Sequence, residues 1–177
     1  QKGANPLDSV ISEQDLTSMG KVEGVHSLIG ALLETDEYDS AHPAVIEVGL
    51  EPSAQEPFGV ILLKGRSYAE HSPDEVMLGY ALADSIHKTV GDTLQMGGKT
   101  RKVVGVYRTG ISFGDSTMMF PLSTLQSENQ VAGYVTLGFV KVDPGAKVAT
   151  VKNRVAKKFV QYAPIASLSD FGRNSNT

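Results

Sequence analysis

The sequence predicts an α+β fold, and three observations carry that prediction. Short apolar segments rich in β-branched residues recur along the chain, each closed by Gly, Pro, Asn or Asp. One long amphipathic pattern, Ala146 to Val160, has the helical period. The two ends of the chain read as helix–strand and strand–helix, with a dense run of short strands between them. At 177 residues the chain suffices for one domain or two small subdomains.

The first helix starts at Ser12, whose hydroxyl can accept an orphan backbone N–H. Glu13 and Asp15 favour its positive end, Leu16 and Met19 give it an apolar side, and Gly20 ends it. Val25 to Leu33 reads as a strand, Glu34 to Ser40 as an acidic hairpin loop, and Val45 to Leu50 as the returning strand. Pro52 to Pro57 reads as a loop, Val60 to Leu63 as a buried strand or an extended segment, and Lys64-Gly65-Arg66 as a turn. Glu75 to Gly79 is a short strand. Leu82, Ile86 and Val90 then share the spacing of a helix over Tyr80 to Val90, with Gly91 as its cap.

Thr93 to Met96 and Arg101 to Tyr107 flank Gly97-Gly98, a hairpin signal. Ser116 to Phe120 is a strand stopped by Pro121, and Ser123 to Ser127 one helical turn. Tyr134 to Val142 is a strand closed by Asp143-Pro144-Gly145. In the last helix Val148, Val151, Val155 and Phe159 form the inward face, and Lys147, Lys152, Arg154, Lys157 and Lys158 stay in water. Pro164 to Leu168 closes as an extended segment. The order fits a ferredoxin-like subdomain, residues 8–65 and 131–170, interrupted by a β-rich insertion at 66–130. Residues 1–7 and 171–177 are expected to be flexible ends.

Composition narrows the function. A net charge of −4 argues against a nucleic-acid surface. The absence of Cys removes thiolate metal sites, a Cys nucleophile and disulfides. No apolar run approaches the ~20 residues that cross a bilayer. The start, Gln1-Lys2-Gly3, carries no Met and no apolar leader core, which reads as a piece of a longer protein or a processed product.

Gly97-Gly98-Lys99-Thr100 resembles the end of a phosphate loop, but Thr93 stands where the motif needs its first Gly, and the segment lies between two strands. His26, His42, His71 and His87 share no metal spacing, and no Gly-x-Ser-x-Gly elbow occurs. Neither catalytic, cofactor-binding nor metal-binding residues are expected. Gly65, Arg66, Gly91 and Asp92 are expected to hold turns: the glycines by their backbone freedom, Arg66 by its fork of donors, Asp92 by bonding turn amides.

The ordered pieces resemble one family. Gly65-Arg66-Ser67-Tyr68, Asp74 to Gly79, Ala81-Leu82-Ala83, Val90 to Leu94, Lys99 to Gly105 and Asp115 to Leu122 resemble successive motifs of the MacB-like periplasmic core domain. Ser12 to Leu16 with Val22 to Val25 is similar to its opening, and Val140 to Gly145 to its last strand. The resemblance spans Ile11 to Leu168. It implies a porter-type subdomain with an inserted sabre-type one, outside the membrane in a dimeric ABC-transporter permease of MacB/FtsX-like type, homodimeric or heterodimeric. It also implies a partner cytoplasmic ATPase subunit, a substrate or envelope partner of unstated identity, and no cofactor. Two other classes fit the composition: a secreted enzyme whose site assembles through space, and a cell-surface sensor or adhesion domain.

Overall fold

The computed structural model describes residues 10–110 and 112–164. The expected flexible ends, and all but Pro164 of the closing segment Pro164 to Leu168, lie outside these residues. The fold is mixed α+β, and the chain divides into two compact units, residues 1–30 with 133–177 and residues 31–132. The first thus carries both the first and the last described residue, Val10 and Pro164. Residues 31–65 fall in the second, although their sequence pattern groups them with the outer segments.

The first unit contains β1 (Ile11–Ser12), α1 (Glu13–Met19), the start of β2 (Val25–Asp36), β9 (Tyr134–Val135), β10 (Leu137–Val142) and α6 (Val148–Lys158). The Ser12 hydroxyl accepts the Asp15 N–H at 3.0 Å, the cap that its position predicts. β1 pairs antiparallel with β9, and β10 lies beside β2. Leu16, Met19, Val22, Val135, Val151, Val155 and Phe159 are buried. Burial of each such side chain is worth ~1.5–3 kcal/mol. Val148, expected on that inward face, is exposed in the first helical turn.

The second unit holds β3 (Val45–Gly49), a 3₁₀ turn (Pro52–Ala54), α2 (Gln55–Phe58), β4 (Ile61–Gly65), β5 (Glu75–Gly79), α3 (Tyr80–Ser85), β6 (Thr93–Met96), β7 (Lys99–Arg108), α4 (Ser112–Asp115), β8 (Met118–Phe120) and α5 (Leu122–Glu128). Its sheet runs β2–β3–β8–β5–β7–β4, with β6 also on β7. The β3–β8 and β5–β7 pairs are parallel and the remaining pairs antiparallel. Central strands covered on both faces read as unbroken apolar runs. Met77-Leu78 and Met118-Met119-Phe120 are such runs, all fully or almost fully buried.

Four local expectations change. Glu34, Thr35 and Asp36 extend β2, because they pair with Glu47, Ile46 and Val45 in turn across the hairpin. Pro52 to Phe58 is helical, with Pro at the first helical position, where its missing N–H costs nothing. Ile61-Leu62-Leu63 is exposed, since β4 lies at the edge of the sheet. The helix from Tyr80 stops at Ser85, because His87 adopts a left-handed φ of 54°, and Val90 lies beyond it.

Candidate functional site

The four turn candidates meet on one edge of β7. Along that edge β6 pairs with Lys99 to Lys102 and β4 pairs with Gly105 to Arg108. Both run antiparallel to β7, so they follow one another as halves of an interrupted strand. Residues 67–90 form the excursion between them, and it supplies β5 on the opposite edge of β7.

The gap is bridged by the candidates themselves. Arg66 N–H donates to the Val104 carbonyl at 2.9 Å. Gly91 N–H donates to the Val103 carbonyl, and Val103 N–H to the Asp92 carbonyl, each at 2.9 Å. Gly65 has φ 74°, and a Cβ there would collide with the Val104 carbonyl and lie 2.8 Å from Val90 Cγ2. Gly65 therefore makes no turn: it lets the outgoing chain stay on the β7 backbone through Arg66. Gly91 has φ 96° with open space around its missing Cβ. Asp92 Oδ2 accepts the Thr89 N–H at 2.8 Å.

Arg66 faces outward and clamps the excursion. Its guanidinium donates to both carboxylate oxygens of Glu75, at 2.5 and 3.1 Å, and to the Ser67 carbonyl at 2.9 Å. Glu75 also accepts the Ala69 N–H at 2.8 Å. The Arg66 hydrogen bonds, followed by the Ala69 amide, hold the Glu75 carboxyl down at about 2.

A second cluster consists of residues that motif reading passed over. Arg101, 2 % exposed, donates to both oxygens of Glu128 at 2.9 and 2.6 Å and to the Pro73 carbonyl at 3.1 Å. Its guanidinium lies 5.1 Å from the centre of the Phe120 ring. Lys99 joins Glu128 from the surface at 2.8 Å. Burial pushes the Glu128 carboxyl up, and the Arg101 and Lys99 hydrogen bonds outweigh it, leaving the group below its usual range. The Arg101 Nε is buried and has no hydrogen-bond partner.

Glu47 belongs to the same region. It is 6 % exposed on β3, directly opposite Glu34 of β2. Burial first, then the nearby Asp36 carboxylate, pushes its carboxyl up to about 7, against the pull of Arg101. The signals for both residues are local. Glu47 sits between apolar neighbours on both faces of its strand, and Arg101 lies two residues before a buried valine run.

The histidines are scattered. His26 lies 3.3 Å from Asp143, His71 Nδ1 lies 2.6 Å from the Ser123 hydroxyl, and His87 is exposed. His42 completes a Ser–His–Asp relay: Nδ1 is 2.8 Å from Asp39 Oδ1 and Nε2 is 2.6 Å from Ser85 Oγ. With Asp39 ionised, Nδ1–H donates to it and Nε2 accepts from the serine. The His42 hydrogen bond lowers the Asp39 carboxyl.

A nucleophile of this kind also needs free N–H groups aimed at the developing oxyanion. The amides following Ser85 are engaged: Ile86 donates to Leu82, His87 to Asp84 and Lys88 to Ala83. The relay thus pins the β2–β3 loop to the end of α3. An open groove of about 360 Å³ lies nearby, lined by Tyr38, Asp39, Lys88, Thr93, Leu94 and Gln95. Among the described residues, no three carboxylate or imidazole side chains converge as metal ligands.

Comparison with known proteins places this architecture. The periplasmic region of MacB from Actinobacillus actinomycetemcomitans superimposes with a TM-score of 0.68 at 12% identity, covering 94% of this chain and 84% of that one. The extracellular domain of the noncanonic ABC-type transporter YknZ from Gram-positive bacteria gives 0.67 at 16% identity, covering 87% and 84%. At such identities the likeness is one of fold. No curated protein matches the chain. The family model of the MacB-like periplasmic core domain matches residues 3–158, and the chain belongs to that family.

Proposed function

We propose that this chain is the extracytoplasmic domain of an ABC-transporter permease. In this reading it performs no bond chemistry and passes motion between the membrane and a substrate or envelope partner. The observation that carries the reading is the family match, over 156 residues from 3 to 158. A lever tethered at both ends also needs both of its flanks in one body, and the first and last described residues, Val10 and Pro164, both fall in the first unit.

The first unit then corresponds to the porter-type, ferredoxin-like subdomain and the second to the inserted, sabre-type one. Partners would be a second permease copy or a related permease, and a cytoplasmic ATPase subunit reached through membrane helices. ATP hydrolysis inside would shift two such domains as rigid bodies between two states. Efflux, lipoprotein release and mechanical transmission to an envelope partner would all use that motion.

This chain contains no Cys, so only thiols elsewhere in the parent protein would have to be replaced before the test. Glu37 is exposed in the β2–β3 loop. A Glu37→Cys variant of the parent protein, expressed in intact cells, should react with a membrane-impermeant maleimide. Reaction only after the membranes are opened would end this reading.

A further inference from the structure

Charge is divided unequally between the two units. The first holds nine Lys and Arg against six Asp and Glu, and the second seven against fourteen. The basic excess of the first is concentrated at α6. No acidic residue occurs between Asp143 and Asp170, whereas Lys147, Lys152, Arg154, Lys157 and Lys158 all fall there.

Helix geometry turns this composition into a surface. At 100° per residue, Val151 and Val155 point inward with Phe159, and all three are buried. Lys147, Arg154, Lys157 and Lys158 then share one flank within an arc of about 100°, with Lys152 on the other side. Arg154 braces Glu23, donating to its carbonyl at 3.1 Å and pairing with its carboxylate at 3.4 Å. Lys158 stands 5.9 Å from the Phe159 ring centre. Lys147 and Lys157 are exposed and form no ion pair among the described residues.

We propose that this flank of α6 rests on the anionic phospholipid headgroups of the membrane in which the parent protein is anchored. The proposal builds on the permease reading, which puts the unit holding both Val10 and Pro164 next to the bilayer. A free phosphate would need a concave cradle of donors. The stripe is instead convex and runs ~16 Å along the helix from Lys147 to Lys158, a shape that suits an extended array of phosphates. Long lysine side chains can lay their stems along the protein and hold the ammonium in the headgroup layer.

The full 177-residue chain would be sedimented with vesicles of phosphatidylcholine, with or without ~30 mol% phosphatidylglycerol. It should bind only the anionic vesicles, and rising salt should release it as the surface charge is screened. Each lysine removed should weaken partitioning about fivefold, so the triple variant Lys147→Gln, Lys157→Gln, Lys158→Gln should lose about a hundredfold. The matched variant Lys64→Gln, Lys88→Gln, Lys102→Gln changes net charge equally in the second unit and should bind as the parent does.

Equal binding to neutral vesicles, unchanged binding of the first triple variant, or equal loss in the second would each overturn the proposal. So would displacement by millimolar inorganic phosphate, which identifies a free-anion site. Concentration-dependent self-association lost in the first triple variant would identify a second copy as the occupant and overturn it too. Failure to bind vesicles by a chain whose Glu37→Cys form labels from outside would end this proposal alone and leave the permease reading standing.

Discussion

Glu47→Gln isolates the cost of a carboxyl that the fold buries. Glu47 is 6 % exposed and faces Glu34 across the β2–β3 pair, so its ionised form has lost water and gained like charge. Its carboxyl is moved from 4.5 to about 7. At ~1.4 kcal/mol per pH unit, ionising it in the folded chain costs ~3 kcal/mol. The sign follows from proton counting. The unfolded chain releases this proton near 4.5. The folded chain keeps it until about 7. Between those values the folded state binds more protons, so stability falls as pH rises, and the full cost is present above the upper one. The neutral amide of the variant carries no such cost, and the groups shared by both proteins largely cancel in the difference. Urea unfolding of both proteins from ~pH 5 to ~pH 8 should show near-equal stability at the acid end and an advantage of up to ~3 kcal/mol for the variant at the alkaline end. A difference that stays flat across this range, or a Glu47 carboxyl titrating near 4.5 by NMR, would refute the reasoning.

Gly65→Ala should cost ~3 kcal/mol, since it adds a backbone collision to an unfavourable φ, whereas Gly91→Ala should cost only ~1 kcal/mol in its open surroundings. Thermal denaturation reads both, and the reverse order would contradict the edge geometry. Arg66→Gln should let the Glu75 carboxyl rise from about 2 toward 4.5. The parent therefore keeps the support of this pair above its unfolded value and loses it only in strong acid; an unmoved Glu75 in an NMR titration would separate the two residues. Ser85→Ala should loosen the β2–β3 loop by ~1 kcal/mol in amide exchange and leave p-nitrophenyl ester hydrolysis unchanged. A hydrolytic rate that falls in this variant would make Ser85 a nucleophile. Arg101→Met should cost ~1–3 kcal/mol, because it removes two charge-assisted hydrogen bonds while half-buried Glu128 keeps Lys99, and adding Glu128→Leu should recover part of it. Failure of the second change to restore stability would show that Arg101 acts through its other contacts.

Much of the fold was legible because local chemistry and final structure agree at particular residues. Ser12 caps α1, Gly97-Gly98 separates β6 from β7, and Val151, Val155 and Phe159 turn inward. The errors have equally local causes. Val60 to Leu63 has the composition of a central strand, but exposure depends on sheet order, and β4 is an edge. The apparent helical spacing of Leu82, Ile86 and Val90 was coincidental after Ile86, because burial of Val90 depends on the β7 edge that it approaches. The register of β7 likewise brings Gly65 beside Gly105 and Gly91 beside Val103, two residues apart, a proximity invisible across 26 positions of sequence.

The charged cluster was illegible for a different reason. A lone Glu in a strand normally marks the wet face, and periodicity assigns it there. That rule presumes a sheet with one solvated side. Here α5 covers the face of β3 to which Gly49 presents its backbone, with Leu122 and Leu125 against it, and Glu47 lies two residues earlier on that same face. Once a helix seals that side, the carboxyl cannot reach bulk water, and the nearest compensating charge is Arg101, committed bidentately to Glu128. Arg101 thus lies between two acids, half-buried Glu128, which also holds Lys99, and buried Glu47, and the acid without those hydrogen bonds is the one pushed up to about 7. That competition, rather than any motif, sets Glu47 apart from the other carboxylates of the chain.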